Sequence, residues 1–407
     1  MKNLGILYKF ELGKILRRRT SWITIIITLL LVLGTLGLDS LGGYFVNGVQ
    51  VDTNFHMNQI FKADQMKLDG RVIDQALLEE MREGYSRIPK EAINGAVPYI
   101  GTREYQTYAR PYSAIFNFVR SAANMNISEA MVWKADEQEL YQRRQQAVEK
   151  DWEGYLLAEE EKEFWKEQEE KLKWPVTFRF KEGYWNLLDG TYTIGLLILI
   201  AVNICLAGVF ADEQSRKMDQ LILSSKYGKT PVYLAKILAG VSFAAGFSLL
   251  VFLFSLLEIR FLYGLEGFSA DFRLIMPGYS YPLNVGESVI VTWGLVIVVA
   301  IFIGVFAMFL SELFHNSLGT LALTLGLIIL CMFVSSMPEH YRVLSQIWSY
   351  LPVNAMAVWN IFDCRTVPIL GKTLVYWQAA PILYLILGGV LAVIGKGRYD
   401  KCQVSGR

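Results

Sequence analysis

Residues 190–236 read GTYTIGLLILIAVNICLAGVFADEQSRKMDQLILSSKYGKTPVYLAK. The first 22 of them, Gly190–Ala211, run without a charged side chain or a histidine between Asp189 and Asp212. A bilayer core takes roughly 20 apolar residues in a helix. Soluble buried helices rarely stay uncharged that long, because they keep one wet face. This window therefore reads as a membrane span, and the patterned stretch behind it as a loop returning to the next one. Five more windows of 19 to 24 residues share the property: Thr20–Leu38, Ile237–Leu257, Ser288–Ser311, Asn316–Pro338 and Thr373–Gly395. Arg17, Arg18 and Arg19 before the first window also fit a signal peptide, but no small-x-small cleavage site follows cleanly, so we read an anchor.

The chain has 407 residues, of which 53% are hydrophobic and 19% charged. Its formal charge of +1 is a cancellation. Residues 46–189 carry 19 Lys/Arg and 25 Asp/Glu, while the other 263 residues carry 20 and 13. An acidic middle and a basic, apolar remainder exclude a single soluble globule, a disordered tail protein and a nucleic-acid binder with a general basic face. The short segments 1–20, 212–231, 312–317 and 396–407 hold 14 Lys/Arg, against 5 in 259–285 and 339–372. Basic short loops stay in the cytoplasm. The expectation is an all-α, multi-pass membrane protein with six transmembrane helices, both termini cytoplasmic, and residues 46–189 as a large, mainly helical extracellular domain between helices 1 and 2.

The inner face carries the most patterned polar sequence. Leu4, Tyr8, Leu12 and Ile15 share an arc of about 80° at about 100° per residue, with Lys9 and Lys14 off the stripe. That predicts an amphipathic elbow helix within residues 1–19, lying on the membrane lipid with its ammonium groups in water. In residues 212–231, Asp212 and Glu213 stand four before Arg216 and Lys217, a spacing that supports a helix. Met218, Leu221 and Ile222 follow on one face, and Gly228 ends the run. Joining two adjacent spans takes only a few residues, so a patterned loop of this length fits a helix that docks in a groove of a soluble partner.

The outer insertion predicts a helix over 55–85, breaks at Ile88-Pro89 and Val97-Pro98, and a helix over 102–124 bent at Pro111. A long helix follows, N-capped by Ser128 and running to about Lys173, then a stop at Trp174-Pro175 and an extended piece, Val176–Phe180. The domain reads either as a cap over an exit or as a solvated ectodomain. Cys205, Cys331, Cys364 and Cys402 are too dispersed for a disulfide framework, and the three histidines too scattered for a metal site. Gly228-Lys229-Thr230 and Gly371-Lys372-Thr373 lack the upstream glycine of a phosphate-binding loop, since residues 223 and 366 are Leu and Thr. No catalytic site is visible. Asn203 reads as lining a path or bonding a neighbouring helix. Glu258 and Glu287 read as wet.

The order Phe210, Glu213, a polar-basic stretch, Leu221-Ile222-Leu223-Ser224-Ser225, Gly228-Lys229 and Leu234-Ala235-Lys236 resembles the permeases of ABC-2 type transporters. The resemblance covers most of the chain. It implies an elbow helix (1–19), a first span (20–45), the extracellular domain (46–189), a second span (190–211), a cytoplasmic coupling helix (212–231), and helices 3–6 with a re-entrant segment (232–407, the segment at 339–372). It further implies a separate ATPase subunit that uses ATP-Mg, no cofactor on this chain, and pairing as a homodimer or with a similar permease in a bacterial plasma membrane. The ATPase-docking residues it suggests are Asp212, Glu213, Arg216, Lys217, Leu221, Ile222 and Glu312. The function expected from it is ATP-driven export of a peptide or hydrophobic drug. The rival is a membrane-anchored receptor or structural protein, which explains the outer domain but not six spans or the inner loop.

Overall fold

The computed structural model describes residues 2–89, 99–215, 218, 224–225, 227–333, 337–338, 340–369 and 371–401. Helix α1 (Lys2–Arg17) leads into α2 (Arg19–Gly37), then a hairpin of β1 (Gly43–Val46) and β2 (Val49–Thr53) opens the inserted domain, expected to lie outside. That domain continues through α3 (Asn54–Met66), α4 (Gln75–Ser86), α5 (Ser113–Ala122), α6 (Ile127–Val132), α7 (Glu137–Gly154) and α8 (Glu159–Glu169). The bundle follows: α9 (Glu182–Leu206), α10 (Ala211–Ser215), α11 (Thr230–Leu262), α12 (Val285–Phe314) and α13 (Ser317–Phe333). Short α14 (Arg342–Ser349) and α15 (Val358–Ile361), a hairpin of β3 (Val367–Ile369) and β4 (Lys372–Leu374), and α16 (Tyr376–Lys401) complete the chain.

Among the described residues, five helices are long and apolar enough to cross a membrane: Arg19–Leu41, Glu182–Ser215, Thr230–Leu262, Val285–Phe314 and Tyr376–Lys401. The remaining window, Asn316–Pro338, holds the shorter α13, of 17 residues. Helix α9 is the most enclosed, packed by α2, α11 and α12. Small residues set the close approaches, as in membrane helix packing. A Cβ at Gly240 of α11 would stand 2.4 Å from the Met308 sulfur of α12. Asn203 is fully buried, and its Oδ1 accepts a 2.6 Å hydrogen bond from Thr324 of α13, so of the two readings of Asn203 the helix–helix bond is the one present. Glu287 caps its own helix through the Asn284 N–H, at 2.8 Å. Glu258 departs from expectation: its Oε2 is enclosed rather than wet.

The outer domain corrects several expectations. Residues 55–85 break at Gly70, which takes φ +85°, and the chain there lies antiparallel to Val176–Phe178: the Phe178 N–H donates to Arg71 O at 2.7 Å and the Ile73 N–H to Val176 O at 2.8 Å. The expected long helix from Ser128 to Lys173 is three helices. Asn126, not Ser128, caps the first, accepting from the Glu129 N–H. Ala135 and Leu156 take positive φ at the two breaks, Asp136 caps α7, and Trp133 and Leu157 turn into the core. Burying those two side chains outweighs helix continuity. Neither hairpin was expected, although Asn47-Gly48 is the dipeptide that a two-residue hairpin turn with positive φ at both positions favours. Asn47 and Gly48 take φ 50° and 77°.

The domain is riveted to the α11–α12 and α13–α16 connections of the bundle. Arg144 of α7 is fully buried, with both terminal nitrogens on the Glu169 carboxylate at 2.8 and 2.9 Å and Nε on Pro277 O at 2.8 Å. Glu161 of α8 takes Arg342 at 2.5 Å and the Thr366 N–H at 2.8 Å. The segment around Pro352, expected to re-enter, forms α14, a helical turn at Asn354–Met356 and α15. Met356 lies against Gly195 of α9, where a Cβ would stand 2.8 Å from its sulfur.

Candidate functional site: the ion-paired end of the bundle

Helix α1 contains the lone acid of the first 38 residues, Glu11. One helical turn on stands Lys14, whose Nζ bonds Glu11 at 2.8 Å and Glu213 at 2.6 Å. Lys236, in the second turn of α11, completes the group: its Nζ lies 3.2 Å from Glu11 Oε2 and 2.9 Å from Glu213 Oε1. The same ammonium donates to Val209 O at 3.0 Å. Two carboxylates and two ammonium groups thus balance in a site where Lys236 is 1% and Glu11 6% exposed. Balance is what permits the burial, since an unpaired charge there costs several kcal/mol. Val209 follows the last turn of α9, where unsatisfied carbonyls favour a cation. Lys14 has its pKa raised: burial pulls it down, but the hydrogen bonds to Glu11 and Glu213 outweigh that. Beside the group, Arg18 meets Asp212 at 3.2 Å, and the Tyr8 hydroxyl donates to Ser242 of α11 at 3.0 Å.

A second station holds the same end from the other side. Ser311 Oγ of α12 accepts the backbone N–H groups of Phe210 and Ala211 at 3.3 and 3.0 Å. The rings of Phe210, Tyr233 and Tyr399 pack as a trio with centroids 5.5 to 5.7 Å apart. Thr230 donates to the Asp400 carboxylate at 2.9 Å, and Arg398 stands 3.7 Å from Glu312. Residues 209–213 and 229–236, the two flanks of the α9–α11 connection, are therefore tied to α1, α11, α12 and α16 together.

The expected docking residues divide accordingly. Asp212 is paired with Arg18 and partly exposed; Glu213 is pulled inward onto Lys14 and Lys236, its side chain 15% exposed. Glu312 is buried beside Arg398. Arg216, Lys217, Leu221 and Ile222, with residues 219–220, 223 and 226 of the expected coupling helix, lie outside the described residues; at its start, Ala211–Ser215 is helical. Lys14 was expected to reach water and instead reaches Glu213. Glu11, Lys236 and Ser311 were missed. The signal for the first two was present: one acid in an otherwise basic helix, and one ammonium set at the mouth of a span.

Fold and site together define a multi-helix membrane protein with an N-terminal helix lashed to one end of its bundle and a folded domain fastened at the other. The chain belongs to the ABC-2 family of transporter proteins, whose family model matches residues 18–395. No curated protein and no solved structure matches it.

Proposed function

We propose that this chain is the permease subunit of an ABC-2 type ATP-driven exporter in a bacterial plasma membrane. It makes six passes, with both termini and the ion-paired end cytoplasmic. What supports the sixth pass is the route from Glu312, beside Arg398, to Tyr376 at the opposite end, whose hydroxyl bonds Ser349 O; α13 is the helix that makes this crossing. A separate ATPase subunit docks on residues 212–226 and consumes ATP-Mg; this chain binds no cofactor and hydrolyses nothing. Two permease chains, identical or similar, enclose the path, and a peptide or hydrophobic drug leaves beneath the outer domain.

The observation that carries this reading is the fastening of both flanks of the inner loop. A push on 214–226 from a closing ATPase is passed at Glu213 to α1 and α11, and at Thr230 to α16, because each contact is a buried or charge-assisted bond. Transport is then a shift between states that the nucleotide-bound ATPase favours differently. In this arrangement Glu213 transmits, and Leu221 supplies the apolar anchor. Leu221→Asp is expected to abolish co-purification with the ATPase while leaving the permease folded; unchanged yield of the complex refutes the assigned interface. Nucleotide-dependent flux in proteoliposomes holding both subunits tests transport itself, and its absence favours the receptor reading.

A further inference from the structure

A cavity of about 170 Å³ lies where the outer domain meets both outer loops of the bundle, between Asp151–Tyr155, Trp165, Gly278–Tyr281 and Asp363–Cys364. Five of its eleven lining residues are aromatic: Trp152, Tyr155, Trp165, Tyr279 and Tyr281. Two more are aspartates, Asp151 and Asp363, the latter neutralised by Arg365, and no lining residue is Lys or Arg, so the lining offers mainly π faces, with one acidic residue at its rim. The walls are held in place. The Trp165 indole donates to Cys364 O at 2.5 Å, the Tyr281 hydroxyl donates to Asp363 O at 2.8 Å, and the two rings meet edge to face at 4.8 Å.

Charge and hydrogen bonding point the same way. Asp363 is bound by Arg365, which stands behind the wall with its guanidinium 5.2 Å from the Tyr155 ring; one face of that ring already carries a cation. Asp151 sits at the exposed rim. The Tyr279 phenol is pushed up, first by burial and then by the neighbouring Asp363 and Asp151 carboxylates. Ser280 lines it too, is 4% exposed, and has a hydroxyl with no hydrogen-bond partner. A buried hydroxyl left unsatisfied is destabilising, and a ligand with one polar group relieves that.

We propose that this cavity binds a small organic ammonium ion carrying a hydroxyl or amine. The ammonium lies against the aromatic faces beneath Asp151, an attraction that strengthens once water is excluded, and its polar group bonds the Ser280 hydroxyl. Binding needs neither nucleotide nor an ATPase, so its test stands apart from that of transport.

The test uses the full chain in detergent micelles, with choline as the probe and 3,3-dimethylbutan-1-ol as its neutral isostere, read by titration calorimetry. Choline is expected to bind one per chain and the isostere at least tenfold more weakly. Asp151→Asn, a rim change that spares the core, is expected to weaken choline about tenfold, which is ~1.4 kcal/mol. Ser280→Ala is expected to weaken choline severalfold and leave tetramethylammonium, which has no hydroxyl, unchanged. Equal binding of choline and the isostere, indifference to Asp151→Asn, or no saturable choline binding at tens of millimolar overturns the assignment.

Discussion

Replacing Lys236 by Met removes one charge from the ion-paired end while nearly keeping its volume. The wild-type group is neutral, with Glu11 and Glu213 against Lys14 and Lys236. The variant leaves two carboxylates facing one ammonium, and strands Val209 O, which Lys236 satisfied at 3.0 Å. A unit pair 4 Å apart is worth ~4 kcal/mol at an effective dielectric of 20. Removing one partner of a buried pair costs ~3–5 kcal/mol. Lys236 is 1% exposed, so solvent screens little of this. Lys236→Met is therefore expected to cost ~3–5 kcal/mol, read as helix loss by circular dichroism in mixed-micelle unfolding, together with faster tryptic cleavage at Lys14–Arg19 as α1 detaches. The double variant Lys236→Met with Glu11→Gln leaves Lys14 paired with Glu213 and should recover half of the loss or more. A single variant within ~1 kcal/mol of wild type, well below the cost of a broken buried pair, or a double variant no better than the single, refutes the view that charge balance holds this end together.

Two further predictions concern the other end. Arg144→Lys keeps the charge but cannot grip Glu169 with two nitrogens and also reach Pro277 O; a loss of ~2–3 kcal/mol is expected, with faster hydrogen exchange in residues 271–284, and unchanged exchange there counts against the rivet. Glu161 has its pKa lowered below 4.5: burial pushes it up, but the hydrogen bonds from Arg342, Thr366 and Ala158 outweigh that. A depressed carboxylate gives stability present above the unfolded pKa and lost as pH falls through the folded one. The seam between α8 and residues 342–366 should thus loosen below about pH 4.5, measured as hydrogen exchange against pH. Glu161→Gln should flatten that dependence, and a persistent transition in the variant would assign it to another group.

The spans were legible because crossing a bilayer is set by length and transfer cost, both written locally in windows such as Gly190–Ala211. A helix at the N-terminus was legible from one stripe, Leu4 to Ile15, but the destination of Lys14 was not: periodicity says which side of a helix a residue occupies, not what faces that side. Helix breaks at Ala135 and Leu156 escaped notice because neither residue favours positive φ; the pull comes from Trp133 and Leu157 entering a core that only the fold creates. The hairpin at Asn47-Gly48 is written in that dipeptide, whose residues take φ 50° and 77°, as a two-residue turn favours.

What the sequence by itself determined is where this chain meets lipid and where its charge gathers, because hydrophobic transfer acts residue by residue along a helix. What only the tertiary structure decided is which charges neutralise one another and which aromatic rings close a cavity. Glu11 and Lys236 are 225 residues apart along the chain, and a buried charge is tolerable only beside the partner that folding delivers to it.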